Sequence, residues 1–435
     1  MARICMVGTG YVGLVSGACF ADFGHEVHCV DIDEKRIEAL NRHEIPFFEP
    51  QLDQLVLRNH QAGRLHFSSE LEAGIRASEV IMIAVQTPSG ERGEADLSHV
   101  LSVAREVGRH LLPKERKLIV TKSTVPVGTS RQVKAEIAEV APAGALFEVA
   151  SNPEFLREGS AIEDFMRPDR VVLGVESEEG ERLLRELYRP LFLLETPMVV
   201  CDIPTSELIK YASNAFLALK ISYINELADL CEQTGADVSA VAKAMGLDGR
   251  IGSKFLHPGL GFGGSCLPKD TRAIVNMAKE HGEGLSIISA AIRVNTLRVP
   301  RAVQKLEALL GKIEGKRVAL LGLAFKPNTD DVREAPAIEL VKLLREKGAS
   351  VVGFDPQADE SFRRVVTDME IAQDAYACAE AADALVLVTE WNSFRTLDLL
   401  RVKSSMRTAV FLDCRNVYER ARMESLGFAY DCFGR

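Results

Sequence analysis

The 435-residue sequence contains one tryptophan, only 6% aromatic residues and no surplus of positive charge. It has no uninterrupted apolar run of about 18 residues, the length a membrane-crossing helix needs, and predicts no membrane span. Basic residues are outnumbered 52 to 62, for a formal net charge of -10. That balance argues against a general nucleic-acid binder, whose basic face must displace counterions. It still allows a local basic pocket around an anionic small molecule. The cysteines, Cys5, Cys19, Cys29, Cys201, Cys231, Cys266, Cys378, Cys414 and Cys432, are odd in number and show no CxxC spacing. Most therefore read as reduced, buried small residues rather than a disulfide framework. The histidines form neither HxxxH nor HExxH, and no metal is expected.

What is present is the composition of a soluble multidomain enzyme, with 47% apolar and 26% charged residues. This excludes low-complexity disorder and collagen-like repeats, and the length suggests two or three domains. The apolar stretch between Arg3 and Ala18 resembles the core of a signal peptide, but Gly8, Gly10, Gly13 and Gly17 interrupt it. A cytoplasmic protein is expected.

Short apolar runs alternate with longer amphipathic stretches over the first 200 residues, the βαβ pattern of a parallel sheet. Strands are predicted at Arg3–Val7, Val27–Val30, Val80–Val85, Leu118–Thr121, Phe147–Ala150 and Arg170–Val175. From about 204 to 232, Leu208, Ile209, Ala212, Phe216, Leu219, Tyr223, Leu227 and Leu230 recur at helical spacing, predicting one long helix suited to linking domains or pairing subunits. A second helical stretch from Ser286 to about Leu310 must kink or break at Pro300. Alternation resumes with RVALLG at 317–322, a helix near Ala337–Lys347, SVVGFDP, ALVLVTE and AVFLDCRN. The fold class expected is α/β, with two doubly wound Rossmann-like domains joined by a helical central region. The boundaries drawn are 1–200, 201–312 and 313–435.

VGTGYVG places Gly8, Gly10 and Gly13 between the first strand and the first helix, and Asp31 ends the second strand in HCVDID. Gly8 permits a tight turn, Gly10 lets backbone approach a pyrophosphate, and Gly13 lets helix pack on sheet. The helix N-terminus offers N–H groups and positive dipole to phosphates. Asp31 can accept the ribose hydroxyls and would repel a 2′-phosphate, which favours NAD over NADP. FAD proteins share the fingerprint, and Arg36 is either a 2′-phosphate cation or a solvated helix-face residue. LGLAFKP, at the corresponding place in the last domain, lacks the fingerprint, so a mononucleotide part of a substrate is more plausible there than a second dinucleotide.

In FLHPGLGFGGSCLPKD, residues 255–270, Gly259, Gly261, Gly263 and Gly264 lead to Ser265 and Cys266, with Pro268, Lys269 and Asp270 behind. Such a loop can wrap a ligand closely, and Lys269 near Cys266 favours a thiolate. On composition alone, a flexible glycine loop with an incidental cysteine is equally acceptable.

GFGGSCLPKD and VGTGYVGL, together with TKSTVPVGT at 121–129, NPEFLREG at 152–159 and GLAFKPNTDDVREAP at 322–336, resemble the UDP-glucose/GDP-mannose dehydrogenase family across essentially the whole chain. GRIGSKFLHPGLGFGGSC and the TEW at 389–391 are most similar to members acting on UDP-glucose. The resemblance implies an NAD-dependent, four-electron oxidation of UDP-glucose to UDP-glucuronate, with GDP-mannose or another nucleotide sugar as the alternative. Cys266 would add to the aldehyde as a thiohemiacetal, and a thioester would then be hydrolysed. A thiol suits this because its thioester stays activated toward water.

By the same resemblance, Lys210 and Asn214, four apart on the long helix, stabilise the developing oxyanion. Asp270 and Thr124 handle the water, and Glu154 belongs to the catalytic set. The cofactor contacts implied are Gly8, Gly10, Tyr11, Val12, Gly13, Asp31, Arg36, Thr87, Thr124, Glu158, Lys269 and Arg333. Substrate would lie against Glu154, Phe155, Leu156, Arg157 and Glu158, against Lys210 and Asn214, and against Phe255, Leu256, His257, Pro258, Gly259 and Gly263. Arg250 would face the phosphates, with a reach that extends across a dimer contact, and Lys326 would supply a substrate cation from the last domain. A homodimer is expected. Three residues depart from the pattern: Arg36 for lysine, Gln86 for glycine or asparagine, and Leu267 for a phenylalanine common among the UDP-glucose enzymes.

Overall fold

The computed structural model describes residues 1–90 and 93–435, which divide into two compact units, 1–213 and 214–435. The first unit is an eight-stranded sheet. Its strands are β1 (Arg3–Val7), β2 (Glu26–Val30), β3 (Leu65–Ser68), β4 (Val80–Ile83), β5 (Arg116–Thr121), β6 (Leu146–Ser151), β7 (Val171–Gly174) and β8 (Met198–Cys201). They lie in the order β3-β2-β1-β4-β5-β6-β7-β8. The first six run parallel, β6 meets β7 antiparallel, and β7 and β8 run parallel.

Both faces of this sheet are covered, which is why its strands read as continuous apolar runs. In β1, Ile4 and Met6 join a core with Leu14, Val15 and Ala18 of the helix Tyr11–Asp22. Cys5 and Val7 point the other way, into a core with Val100, Ala104 and Val107 of the helix Ser98–His110.

The second unit carries a six-stranded parallel sheet of β9 (Arg317–Leu321), β10 (Ser350–Phe354), β11 (Glu370–Ile371), β12 (Ala384–Leu387), β13 (Val410–Asp413) and β14 (Ala429–Cys432), ordered β11-β10-β9-β12-β13-β14. The two-faced pattern recurs: Val318 and Leu320 enter one core, Ala319 and Leu321 the other. The α/β class with two Rossmann-like sheets and a helical stretch between them is therefore as expected. Strands β3, β8, β11 and β14 were not foreseen. All four lie at the sheet edges; LHFS, EI and AYDC give little apolar signal, and MVVC is an apolar run of only four residues, part of it exposed.

The long helix runs from Ile203 to Thr234, crossing the boundary between the units after Ser213. Its buried side includes Tyr211, Ala215, Ala218, Ser222 and Asn225, whereas Leu208, Phe216, Tyr223 and Leu230, which set the apolar period, are exposed. Pro300 acts as expected, with one shift. The break falls at Leu297, between helices Ser286–Thr296 and Arg298–Leu310, and Pro300 sits in the first turn of the second. Proline has no N–H to return to residue 296 and its ring crowds that carbonyl, so the chain turns just before it. No described helix is long and apolar enough to cross a membrane.

Candidate active site

In the first unit β1 ends in a turn built around Gly8, whose φ is +100° and whose N–H donates to the Val30 carbonyl at 2.7 Å. A Cβ on Gly8 would lie 2.7 Å from the Ala84 oxygen, and one on Gly13 would overlap the Gly8 carbonyl oxygen. Gly10 differs: a Cβ there would meet nothing within 4 Å. Gly10 caps the helix Tyr11–Asp22 without a side-chain bond, and no acidic residue stands in its first turn. The turn thus leaves room for a pyrophosphate against N–H groups that a helix cannot satisfy internally.

Asp31, at the end of β2, accepts the Thr9 N–H at 2.7 Å, the Thr9 hydroxyl at 2.8 Å, the Asp33 N–H at 3.0 Å and an Arg36 N–H at 3.2 Å. Burial alone would raise its pKa, but these donors outweigh it and hold the carboxyl below its ordinary value. An ionised acceptor at this position fits the ribose of NAD. Arg36, left open as a 2′-phosphate cation or a solvated helix-face residue, is partly buried and pairs its guanidinium with Asp31 and Asp33. Thr87 donates its hydroxyl to the Thr124 carbonyl at 2.9 Å. Tyr11 donates to the buried Glu49, which also accepts the Gly159 and Ala161 N–H groups.

Beyond β6 the NPEFLREG stretch carries Glu154. Its carboxylate accepts Lys210 Nζ at 3.0 Å and the Leu156 N–H at 2.6 Å, and both charged side chains are buried. A buried ion pair needs such extra hydrogen bonds to offset desolvation. Phe155 lies between cations, with the Arg170 guanidinium 3.6 Å and Lys210 Nζ 5.2 Å from its ring centre. Beneath them Lys122 reaches Asn152 Oδ1 at 3.1 Å. Burial pushes its pKa down to about 8, with Glu154 opposing that shift and Lys210 adding to it. Glu207, on the long helix, accepts the Gly128 and Ser130 N–H groups and so holds the end of the STVPVGT turn that carries Thr124.

In the second unit Cys266 is the residue before helix Leu267–Glu280, its Sγ 3.6 Å from Ser265 Oγ. One helical turn on, Asp270 is buried and accepts Lys269 Nζ and Asn214 Nδ2, each at 2.6 Å. Lys269, expected near the thiol or the cofactor, pairs with Asp270. From Pro258 to Gly264 the preceding loop is buried. The Gly264 N–H donates to the Arg333 carbonyl, and a Cβ on Gly263 would overlap the Glu334 carbonyl oxygen. Leu256 is buried, Phe255 has a left-handed φ of +67°, and His257 is exposed.

The side chains of several other predicted residues have partners of their own. Arg250 extends into solvent and pairs with Asp248, Arg157 pairs with Asp164, and Arg333 holds Asp331. Lys326 Nζ lies 5.4 Å from the Phe325 ring centre. Among the described residues no three His, Cys, Asp or Glu side chains gather as a metal site. Lys122, Asn152, Glu49 and Arg170 were not singled out from sequence. Two of them, Lys122 and Asn152, lie within TKSTVPVGT and NPEFLREG, so a polar residue inside a motif was the available signal for those two.

Three family models match the chain: the NAD binding domain of the UDP-glucose/GDP-mannose dehydrogenase family at residues 2–192, its central domain at 204–297 and its UDP binding domain at 319–420. A UDP-glucose 6-dehydrogenase of Rhizobium meliloti (strain 1021) is 52% identical over 100% of this chain and 99% of its own length. Another, from Bacillus subtilis (strain 168), is 44% identical over 100% and 94%. The structure of a UDP-glucose dehydrogenase from Pyrobaculum islandicum superposes with a TM-score of 0.91 at 42% identity, covering 97% of this chain and 96% of the other.

Proposed function

The chain belongs to the UDP-glucose/GDP-mannose dehydrogenase family, and from that premise we propose that it oxidises UDP-glucose to UDP-glucuronate in two steps through Cys266. The observation that carries the substrate choice is the 52% identity, over the full length, to a UDP-glucose 6-dehydrogenase. Leu267 keeps GDP-mannose as the alternative, but against that identity it is a single position. Residues 1–200 serve NAD, 201–312 carry the nucleophile loop and 313–435 hold the sugar nucleotide.

The Gly8–Gly13 turn and Asp31 would hold NAD, which when bound would supply the hydride acceptor for each of the two oxidations. In the first, the C6 hydroxyl gives up its proton and the carbon becomes an aldehyde, with the developing oxyanion met by Lys210 and by the Asn214 amide. The buried Glu154–Lys210 pair supports this role, because the carboxylate fixes the position of the Lys210 amine. The Cys266 thiol then adds across the carbonyl, its sulfur bonding to C6 and its proton passing to oxygen. Loss of a second hydride and the hydroxyl proton leaves a thioester. Water, oriented by Asp270 and Thr124, attacks it, the carbon–sulfur bond breaks, and carboxylate and thiol are released. The position of Cys266 before a helix, where N–H groups favour negative charge, suits a sulfur that must add and later leave. Arg250 and Lys326 meet the substrate phosphates, and the enzyme is a cytoplasmic homodimer. Exposed Phe216, Tyr223 and Leu230, spaced by seven on one helix, support pairing through that stripe.

The test incubates the purified enzyme with NAD and either UDP-glucose or GDP-mannose. UDP-glucose is expected to give two NADH per sugar consumed, and Cys266→Ser to bind NAD but lose steady-state turnover. Turnover of GDP-mannose alone, a stoichiometry of one with free aldehyde, or an undiminished serine variant would each overturn the corresponding part.

A further inference from the structure

The segment Pro258–Gly264 is buried, yet it belongs to no helix or strand. Its backbone polar groups have no ladder to satisfy them, and buried N–H and C=O groups left unpaired are costly. Side chains from two places in the helical region of the same unit supply partners. The Gly259 N–H donates to Asn225 Oδ1 at 2.8 Å, and the Gly259 carbonyl accepts Arg298 Nε at 3.2 Å. Three residues on, the amide of Asn295 closes a two-point ring with Phe262: the Phe262 N–H donates to Oδ1 at 2.8 Å, and Nδ2 donates to the Phe262 carbonyl at 3.0 Å. Gly261, between them, has φ +89°, and a Cβ there would overlap the Asn295 amide oxygen. The helix break at Leu297 separates Asn295, in the last turn of one helix, from Arg298, at the start of the next. Residues three apart thereby address loop residues three apart.

We propose that Asn295 is a positioning residue for the oxidation, fixing the glycine loop so that Cys266, four residues beyond Phe262, captures the aldehyde before it escapes. The inference rests on the two-step chemistry proposed above. Only an amide offers donor and acceptor in the spacing Phe262 requires. A carboxylate of the same shape sets an anion against the Phe262 carbonyl, and alanine leaves both backbone groups unpaired.

The test measures NADH formed per UDP-glucose consumed, a ratio independent of how much of a variant preparation is folded. Asn295→Asp and Asn295→Ala are compared with wild type, and free aldehyde is trapped with a hydrazine. Wild type is expected to give two NADH per sugar. Both variants are expected to fall toward one, with trapped aldehyde, and to lose about tenfold or more in kcat/KM for UDP-glucose while KM for NAD stays within about twofold, the split expected when only one binding surface is disturbed. Variants that still give two NADH per sugar with no aldehyde, whatever their rate, would overturn the assignment. A wild type giving one NADH per sugar, or none, would instead overturn the two-step reading itself.

Discussion

The chain contains two strand-to-loop turns of the same construction, and only one is shaped to hold a dinucleotide. After β1 the Gly8 N–H donates to Val30 at 2.7 Å, and after β9 the Gly322 N–H donates to Phe354 at 2.8 Å. Both glycines are left-handed, at +100° and +92°. The strand beside each turn continues alike, with the Ala84 N–H on Val7 and the Val388 N–H on Leu321, both at 2.8 Å. Each neighbouring strand ends in an aspartate that reaches back, Asp31 to the Thr9 N–H and Asp355 to the Leu323 N–H. The difference lies two residues beyond the first glycine. Gly10 opens onto empty space and a helix follows at once. Its counterpart Ala324 is buried, its N–H on Asp355 and its carbonyl on the Thr389 hydroxyl, and no helix begins until Pro336. Asp355 also accepts Trp391 Nε1 and the Gln357 and Ala358 N–H groups. One aspartate retains a partly open setting suited to a ribose, whereas the other is consumed in holding its own turn closed.

The largest effect on this contrast comes from Asp355→Ala, which strips partners from several buried donors. A loss of about 4 kcal/mol of stability is expected, read as a fall in denaturation midpoint with NAD affinity unchanged in the fraction that remains folded. An equal loss of NAD affinity would erase the distinction between the turns. Gly10→Ala is next and has the opposite signature. The methyl touches no protein atom, so thermal stability should hold, while NAD affinity should fall about tenfold, or about 1.4 kcal/mol, by calorimetric titration. Unchanged affinity would show that the open space at Gly10 is not where the ligand lies.

The smallest effect is at Asp31. Its folded pKa is depressed, so the stability from its hydrogen bonds is present above the ordinary aspartate value of about 4. That stability is lost as the pH falls through the lower folded value. Asp31→Asn should therefore cost about 1 kcal/mol near neutrality, with the two stability curves converging in acid. A gap that widens in acid would contradict the sign.

The legible part of the fold was the part with a repeating pattern. Strands β1, β4, β9 and β12 are buried on both faces and read as apolar runs, whereas β3, β8, β11 and β14 lie at the sheet edges and are only partly buried. Around the candidate site, residues within motifs were named because those motifs resemble the family's; the glycine loop and its cysteine taken alone had an equally acceptable ordinary reading. Lys122 was passed over inside its motif, and Asn225, Asn295 and Arg298 carry no local pattern at all. They matter only because a loop distant in sequence brings unpaired backbone to them.

By itself, the sequence determined the α/β class from its apolar patterning and the NAD turn from its glycine spacing, whereas the family and the candidate role of Cys266 came from whole motifs that resemble the family's. Only the tertiary structure decided that Glu154 pairs with Lys210, that Asn214 and Lys269 converge on Asp270, and that the second glycine turn is plugged. Those pairings depend on which buried charges and backbone groups the fold brings within hydrogen-bond reach, and burial, rather than spacing, makes each of them necessary.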